Sequence, residues 1–287
     1  MAEGLFIHEP AGRSLMLYIK IRKVFATEKS PYQTIVLADL EGFGRSLIID
    51  NFIQSTEADE HIYHELLVHP AMLLHGNPRR VLIIGGGEGA TLREVLKHNT
   101  VQEAVMVDID PVVVEFSKKY LEYMHQGSFY DERAKVLIMD GFEYLKNIEE
   151  GVFDVVIMDL TDPYAGEAAK PLYSEEAFRL IKRALSTGGV MVTQAGSSYF
   201  YPDEYKYVLE NVKKSFRYIG EYWTWIPSFG LNVNFILASN EHNPWELSDS
   251  EFDKKLAERG VKTKYINGSR FTGLLKIGPI YPLRSFS

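Results

Sequence analysis

The sequence predicts an α/β fold with a mainly parallel sheet, preceded by a small antiparallel β-sheet domain. Two observations support this prediction. From residue 81 onward, short apolar runs alternate with helical apolar spacing, which is typical of repeated βαβ units. Residues 14–50 instead alternate apolar and polar side chains with period two, as half-buried antiparallel strands do. With 287 residues, the chain is long enough for a main domain and a smaller one.

The N-terminal part is predicted to contain three strands and one helix. The strands are 15–22, 34–38 and 46–49, with a hairpin turn at 39–44 and a helical pattern over 57–74. Gly76-Asn77-Pro78 then interrupts the pattern, so we divide the chain there into residues 1–76 and 77–287. The small sheet has exposed edges, and pairing them across a two-fold axis is one way to cover them.

The C-terminal part is predicted to be a βαβ series with helices on both faces of its sheet. Its predicted strands are 81–84, 104–108, 135–139, 153–158, 189–194 and 233–238, and its predicted helices include 91–98, 111–124, 174–185 and 203–215. In such sheets, ligands bind outside the carboxyl ends of the strands.

A glycine-rich turn follows the first of these strands. Gly85, Gly87 and Ala90 match the pattern G-x-G-x-x-A, in which missing side chains let a nucleotide approach the start of a helix. Asp108 ends the next strand, where a carboxylate can accept the hydroxyl groups of a ribose. Asp110 instead precedes a proline, as a helix-capping residue does. Glycine-rich turns also serve strand-to-helix packing alone, so Asp108 is the observation that favours a nucleotide site.

Acidic or amide side chains follow five strands: Glu88, Asp108, Asp140, Asp159 with Asp162, and Gln194. Because the carboxyl ends of parallel strands meet at one edge, we expect these side chains to line one cleft. The alternative is that they are turn residues, since Asp is common in turns.

The charges in this cleft limit which ligands it can bind. Glu88 would repel a phosphate or a carboxylate, so the ligand should present a cation there. Asp140 can accept an exocyclic amino group such as that of adenine. Of Asp159 and Asp162, one can anchor an ammonium group while the other accepts a proton from an attacking amine.

Composition argues against several other classes of protein. The net charge of −8, with no cluster of Lys and Arg, argues against nucleic acid as a partner. There is no cysteine, which excludes disulfides and cysteine-based metal sites. With no signal-peptide pattern and no apolar run of membrane-spanning length, we expect a soluble cytoplasmic protein without a membrane partner. His61, His64, His69 and His75 lack the spacing of metal ligands, so we expect no metal.

Over nearly its whole length the sequence resembles the polyamine aminopropyltransferases, the family of spermidine and spermine synthases. The motifs that carry the resemblance are Tyr32-Gln33, Ile49-Asp50-Asn51 with Gln54 and Glu57, Asp59-Glu60, Tyr63-His64-Glu65, Gly85–Gly89, Asp108-Ile109-Asp110, Asp140-Gly141, Asp159–Pro163 and Gln194. The resemblance implies a methyltransferase-like Rossmann domain after an N-terminal β domain, and a homodimer or homotetramer formed through that β domain. It also implies decarboxylated S-adenosylmethionine as donor, methylthioadenosine as product, and no tightly bound cofactor.

The resemblance further implies roles for individual positions. The residues implied in binding the adenosyl part of the donor, beside Gly85 and Gly87 of the glycine turn, are Gln33, Asp108, Ile109, Asp140 and Gly141. Residues implied in lining the donor and amine sites are Gln54, Tyr63, His64, Asp162, Gln194 and Phe229. Glu88 would bind the amino group of the donor, and Asp159 would be the general base. The acceptor amine would then attack the carbon next to the sulfonium in one displacement.

Three features depart from most spermidine synthases, and the segments Gly85–Gly89, Asp159–Pro163, Thr193–Gly196 and Pro227–Phe229 look more like thermospermine synthases. Glu88 stands where most have Asp, residues 164–170 replace a shorter Gly-Pro step, and Phe229 stands where a Tyr is common. Spermidine is therefore the favoured acceptor, giving thermospermine or spermine. Putrescine or agmatine is the alternative, with broad specificity, because one methylene can change binding by only about 1 kcal/mol. The aromatic stretch Tyr222–Trp225 can line a channel for methylene chains, but we expect it in the core.

Two other functions compete with this interpretation. A methyltransferase that uses intact S-adenosylmethionine would bring a carboxylate towards Glu88. In addition, Ile83 and Ile84 stand where methyltransferases that resemble this fold typically carry an acid. A non-catalytic binding protein would be expected to lose the base or the donor acids, yet Asp159 and Asp162 are both present.

Overall fold

The computed structural model describes residues 4–12, 15–164 and 169–282. Most of the segment 164–170, which we singled out as longer than in spermidine synthases, therefore lies outside the described residues. Within the described ranges, no helix is both long and apolar enough to span a membrane.

The chain begins with a five-stranded antiparallel sheet whose strands are neighbours in sequence order. They are β1 (Leu5–Ala11), β2 (Leu15–Lys29), β3 (Thr34–Leu40), β4 (Gly44–Ile49) and β5 (Phe52–Thr56). The period-two pattern predicted β2, β3 and β4, although β2 continues well beyond the predicted end. β1 and β5 were not predicted. The small antiparallel N-terminal sheet is confirmed.

A seven-stranded sheet follows, with the spatial order β11-β12-β10-β9-β6-β7-β8. Its strands are β6 (Arg80–Gly85), β7 (Glu103–Asp108), β8 (Ala134–Ile138), β9 (Phe153–Asp159), β10 (Leu185–Gln194), β11 (Tyr218–Ile226) and β12 (Leu231–Ser239). The five strands from β10 to β8 are parallel, whereas β12 and β11 form an antiparallel hairpin at one edge. The predicted α/β fold with a mainly parallel sheet is confirmed.

The order of the strands reverses beside β6. The chain leaves β6 for β7 on one side and later reaches β9 on the other. A crevice opens at such a switch point, outside the carboxyl ends of the two neighbouring strands. The fold therefore places the ends of β6, β7 and β9 around one candidate binding site.

Nine α-helices occur in the described part of the chain. They are α1 (Glu60–Leu74), α2 (Ala90–Leu96), α3 (Pro111–Tyr120), α4 (Glu122–His125), α5 (Gly141–Asn147), α6 (Glu175–Ala184), α7 (Pro202–Ser215), α8 (Asp249–Glu258) and α9 (Gly268–Ile277). The predicted helix 111–124 is divided into α3 and α4. Leu66 and Met72 of α1 pack in one core with Val81 and Phe235 of the second sheet. The helix that we assigned to the N-terminal part thus packs against the C-terminal one.

The two faces of the parallel sheet are both covered. Along β6, Val81 and Ile83 pack in the core that contains α1, whereas Leu82 and Ile84 pack in the core of the opposite face. A strand that is buried on both faces has no polar side, which is why it appears in the sequence as a continuous apolar run.

The aromatic stretch on β11 lies outside the candidate site. Tyr222 is fully buried in the core, as we expected, whereas Trp225 is 50% exposed. The residues around the cavity described below do not include either side chain. The stretch therefore gives no support to a channel for methylene chains.

A side chain at Gly85 should destabilise the fold. The backbone there has a φ of +85°, and a Cβ would lie 2.1 Å from the carbonyl oxygen of Asp159. We expect Gly85→Ala to lower the free energy of unfolding by about 2–5 kcal/mol, measured by equilibrium denaturation. Gly76→Ala is the control, because a Cβ there would meet nothing within 4 Å. An equal loss in both variants would contradict this account.

Candidate active site

A cavity of about 550 Å³ lies between the carboxyl ends of the parallel strands and the N-terminal sheet. The predicted site residues that line it are Gln33, Gln54, Tyr63, Gly85, Gly87, Glu88, Asp108, Ile109, Asp140, Gly141, Asp159, Asp162, Gln194 and Phe229. His64 is the exception: its buried side chain lies behind Glu88 and not among the lining residues. The strand ends and the residues named by the resemblance thus come together in one place.

The glycine-rich turn brings backbone close to two carboxylates. The N–H of Gly86 donates to the carbonyl oxygen of Asp159 at 2.9 Å. A Cβ on Gly87 would lie 2.7 Å from Oδ2 of Asp108. Only glycine at this position leaves the space in front of the Asp108 carboxylate open to a ligand.

Asp110 connects the N-terminal sheet to the part of the cavity that Asp108 lines. It caps α3 as predicted, because its Oδ1 accepts the N–H of Val112 at 2.9 Å. Its Oδ2 accepts a hydrogen bond from the Ser30 hydroxyl at 2.6 Å and another from the Gln33 amide at 2.8 Å. The N–H of Asp110 in turn donates to Oδ1 of Asp108 at 2.9 Å. Burial raises the pKa of Asp108 to about 6.

Asp140 also caps a helix. Its Oδ1 accepts the N–H groups of Phe142 and Glu143, at 2.7 and 3.3 Å, at the start of α5. The side chain is exposed at the edge of the cavity, and Gly141 beside it is buried. The cap fixes the direction of the carboxylate, whichever ligand group it meets.

Glu88 is held from behind by a buried histidine. The Nε2 of His64 lies 2.8 Å from Oε1 of Glu88, and its Nδ1 lies 2.9 Å from Oε2 of Glu60. Burial by itself would lower the pKa of His64, but the two carboxylates outweigh it and raise that pKa to about 10. The side chain of Glu88 is 14% exposed, so its carboxylate faces the cavity on one side and the protonated His64 on the other.

Asp159 accepts hydrogen bonds from two hydroxyl groups. The Tyr63 hydroxyl donates to Oδ1 at 2.9 Å, and the Thr91 hydroxyl donates to Oδ2 at 2.6 Å. Burial and the charge of Glu88 raise the pKa of Asp159, while His64 and the two hydroxyls lower it, and the result is about 6. A carboxyl group with this pKa is ionised at neutral pH and is basic enough to accept a proton.

Asp162 and Gln194 form the opposite wall. The Gln194 amide donates to the carbonyl oxygen of Leu160 and to the Tyr173 hydroxyl, both at 2.8 Å, and its Oε1 accepts the N–H of Gly196 at 2.8 Å. Gln194 therefore holds the backbone after β9 in place. Burial raises the pKa of Asp162 to about 6.

Several polar residues at the site were not predicted from the sequence. Thr91 is the second residue of α2 and donates a hydrogen bond to Asp159, which its position in the sequence does not reveal. Glu60 and Arg93 pair behind His64 at 2.9 Å. Glu9 lies on β1, is 6% exposed, and has its pKa raised to about 8, mainly by burial. Of these residues, only Glu9 gives a local signal in the sequence, as an acidic residue within the mostly apolar segment Leu5–Ala11.

One cluster in the described residues has side chains of the kind that ligate metals. Single ligand atoms of His64, Glu88 and Asp159 all lie within 4.8 Å of one another. Both ring nitrogens of His64 already face carboxylates, which is the arrangement of an ion pair. A histidine that ligates a metal must instead offer a lone pair.

Comparisons with known proteins show which family this chain is similar to. Residues 60–249 match the family model described as spermine/spermidine synthase domain, and residues 6–57 match the model described as spermidine synthase tetramerisation domain. A polyamine aminopropyltransferase of Pyrobaculum calidifontis is 54% identical over 278 residues, covering 95% of each chain. Polyamine aminopropyltransferase 1 of Hyperthermus butylicus is 50% identical over 285 residues, covering 98% of this chain and 97% of that one.

Solved structures show the same fold. A crystal structure of spermidine synthase in complex with the transition-state analogue AdoDATO superposes with a TM-score of 0.89 at 31% identity, covering 96% of this chain and 92% of that one. The spermidine synthase of Thermotoga maritima superposes with a TM-score of 0.87 at 31% identity, covering 96% and 91%. The chain therefore belongs to the spermine/spermidine synthase family of polyamine aminopropyltransferases.

Proposed function

We propose that this enzyme transfers the aminopropyl group of decarboxylated S-adenosylmethionine to an amine, with spermidine as the favoured acceptor and thermospermine or spermine as the product. The choice of donor rests on the position of Glu88. It faces the cavity beside the glycine turn, where intact S-adenosylmethionine would place a carboxylate and the decarboxylated form places only an ammonium group. The complex of a related spermidine synthase with AdoDATO supports a donor of this kind.

The reaction is a single displacement. The acceptor nitrogen attacks the propyl carbon next to the sulfonium, a C–N bond forms, the C–S bond breaks, and methylthioadenosine leaves with the sulfur electron pair. The proton of the attacking amine passes to Asp159. Because the sulfonium is already a good leaving group, the protein has to position the two substrates and remove one proton. No tightly bound cofactor or metal takes part in this scheme.

The acceptor would lie along Tyr63, Phe229 and Asp162. The rings of Tyr63 and Phe229 stand 6.3 Å apart and offer an apolar surface to methylene groups. Asp162 lines the cavity and offers a carboxylate to an ammonium group. The preference for spermidine over putrescine rests on Glu88 and Phe229, which look more like thermospermine synthases than like most spermidine synthases.

The proposal is tested by incubating the purified protein with decarboxylated S-adenosylmethionine and, separately, putrescine, agmatine, cadaverine, spermidine and norspermidine. The products are resolved by chromatography that separates spermine from thermospermine. Release of methylthioadenosine with spermidine, and a thermospermine or spermine peak, is the expected result. Release mainly with putrescine or agmatine would correct the acceptor. Methyl transfer from intact S-adenosylmethionine, or binding without turnover, would overturn the proposal.

The activity should depend on pH through Asp159. Burial and the charge of Glu88 place the pKa of Asp159 at about 6, and a general base acts only when it is deprotonated. We therefore expect kcat/KM to fall as the pH drops through about 6 and to be insensitive to Asp159 above about pH 7. Initial rates at low donor concentration measure this. A profile that stays flat from about pH 7 down to pH 5 would contradict Asp159 as the base.

We further propose that the N-terminal sheet joins subunits into a homodimer or homotetramer. The match of residues 6–57 to a tetramerisation domain supports this. So does β2, which leaves Tyr18 exposed at 69%, Phe25 at 45% and Val24 at 42%. Light scattering coupled to size-exclusion chromatography gives the mass directly, and a monomer at micromolar concentration would contradict the proposal.

A further inference from the structure

Both ring nitrogens of His64 have hydrogen-bond partners within the protein. Its Nδ1 faces both Oε2 of Glu60 and the carbonyl oxygen of Glu60, at 2.9 and 2.8 Å, and its Nε2 faces Glu88 at 2.8 Å. All three neighbours are hydrogen-bond acceptors, so both ring nitrogens must donate. An imidazole that donates from both nitrogens carries a proton on each and is positively charged. The ring then has no donor or acceptor left for a ligand.

His64 lies in a buried row of side chains whose charges alternate in sign. The guanidinium of Arg93 donates to both oxygens of Glu60, at 3.2 and 2.9 Å. The side chains of Arg93, Glu60 and His64 are 7%, 8% and 1% exposed, and only Glu88 at the end of the row reaches the cavity. The signs run positive, negative, positive, negative, so a donor ammonium group at Glu88 would continue the alternation.

We propose that His64 is a positioning residue: a protonated imidazole, anchored by Glu60 and Arg93, that holds the Glu88 carboxylate towards the donor. The catalytic consequences of this inference rest on the proposed function, whereas the protonation of His64 does not. The other groups that face the ring are Tyr63 on α1, whose ring stands edge-on at 5.1 Å, and Asp159 on β9.

A cation in this place also acts on Asp159. One nitrogen of His64 lies within 4.8 Å of the Asp159 carboxylate, and the positive charge lowers the pKa of Asp159 while Glu88 raises it. Removing the charge of His64 should therefore raise the pKa of the base. A purely structural histidine would have no such effect on the pH profile.

The protonation state is measured by NMR of protein labelled with ¹⁵N in its eight histidines, with His64→Gln used to assign the signals. Both ring nitrogens of His64 are expected to keep imidazolium shifts from about pH 6 to about pH 9. Glu60→Gln should lower the pH at which His64 deprotonates by at least about one unit. This measurement needs no turnover, so it tests the inference even if the proposed function fails.

Glu65→Gln is the matched control for Glu60→Gln. Glu65 is also a buried carboxylate on α1, but it accepts the N–H groups of Lys264, Tyr265 and Ile266 and faces away from His64. This substitution should leave the titration of His64 unchanged. A neutral His64 at pH 7, or identical titrations in wild type and Glu60→Gln, would overturn the proposal.

Kinetics separate positioning from direct contact. In His64→Gln the acid limb of kcat/KM should move to higher pH by at least about one unit, and KM for the acceptor should stay within about twofold. Because Gln leaves Glu60 less well paired, the double variant Glu60→Gln/His64→Gln is made as well and should show the same shifted limb. A rise of about tenfold in acceptor KM, with the acid limb unmoved, would mean that His64 contacts the substrate and would overturn the proposal.

Discussion

Replacing Asp159 with asparagine should lower kcat by about 10²–10⁴ while leaving the fold intact. Asn has the same shape, and the hydroxyls of Tyr63 and Thr91, which now donate to Asp159 at 2.9 and 2.6 Å, can reorient around an amide. What the amide cannot do is take the proton from the acceptor amine. The rate is measured at saturating donor and acceptor, and equilibrium unfolding reports on the fold.

Asp154→Asn is the control for that experiment. Asp154 lies at the other end of β9, away from the cavity, and accepts the N–H groups of Arg79 and Arg80 at 2.7 and 3.0 Å. It therefore shares the strand and the change in charge with Asp159, but it meets no substrate. Its kcat should stay within about twofold of wild type. A rate unchanged by Asp159→Asn would remove Asp159 from the role of base.

Glu88→Gln should weaken binding of decarboxylated S-adenosylmethionine by about 10²-fold and binding of methylthioadenosine by no more than about threefold. The two ligands differ by the aminopropyl group, whose ammonium would meet Glu88. An amide keeps the size of the side chain but lacks the charge that attracts the ammonium group. Isothermal titration calorimetry with both ligands measures the difference directly.

Glu115→Gln controls for the loss of one negative charge. The Glu115 side chain is 72% exposed on α3 and lies outside the cavity, so neither ligand should bind differently. Glu88→Gln should also move the acid limb of kcat/KM to lower pH, because the charge of Glu88 raises the pKa of Asp159. That shift is opposite in sign to the one expected for His64→Gln. Equal losses of affinity for donor and methylthioadenosine would show that Glu88 does not recognise the ammonium group.

The candidate site was largely predictable because its residues stand at the ends of strands. A buried parallel strand is a continuous apolar run, and the first polar residue after it lies at the ligand-binding edge wherever that strand sits in the sheet. Glu88, Asp108, Asp140, Asp159 and Gln194 could therefore be assigned to one cleft without knowing the order of the strands. The resemblance to aminopropyltransferases added Gln33, Gln54 and Phe229, which no local pattern indicates.

The N-terminal sheet was harder to predict than the second one. β1 carries polar or exposed residues at several positions and is held mainly by its pairing with β2, from Leu5 opposite Ile21 to Ala11 opposite Leu15. Such pairing partners are not visible in either segment alone. For the same reason the sequence did not show that β12 runs antiparallel to β10, since an apolar run has the same pattern in either direction.

Only the tertiary structure decided what each polar side chain of the site touches. Tyr63 and Asp159 are 96 residues apart, and Ser30 and Asp110 are 80 apart, yet each pair forms a hydrogen bond. The sequence determined the α/β fold, the glycine turn and the ring of acids, because those depend on local periodicity and on strand ends. It could not determine that His64 stands behind Glu88, because that depends on how α1 packs against α2 and the glycine turn, which no local pattern encodes.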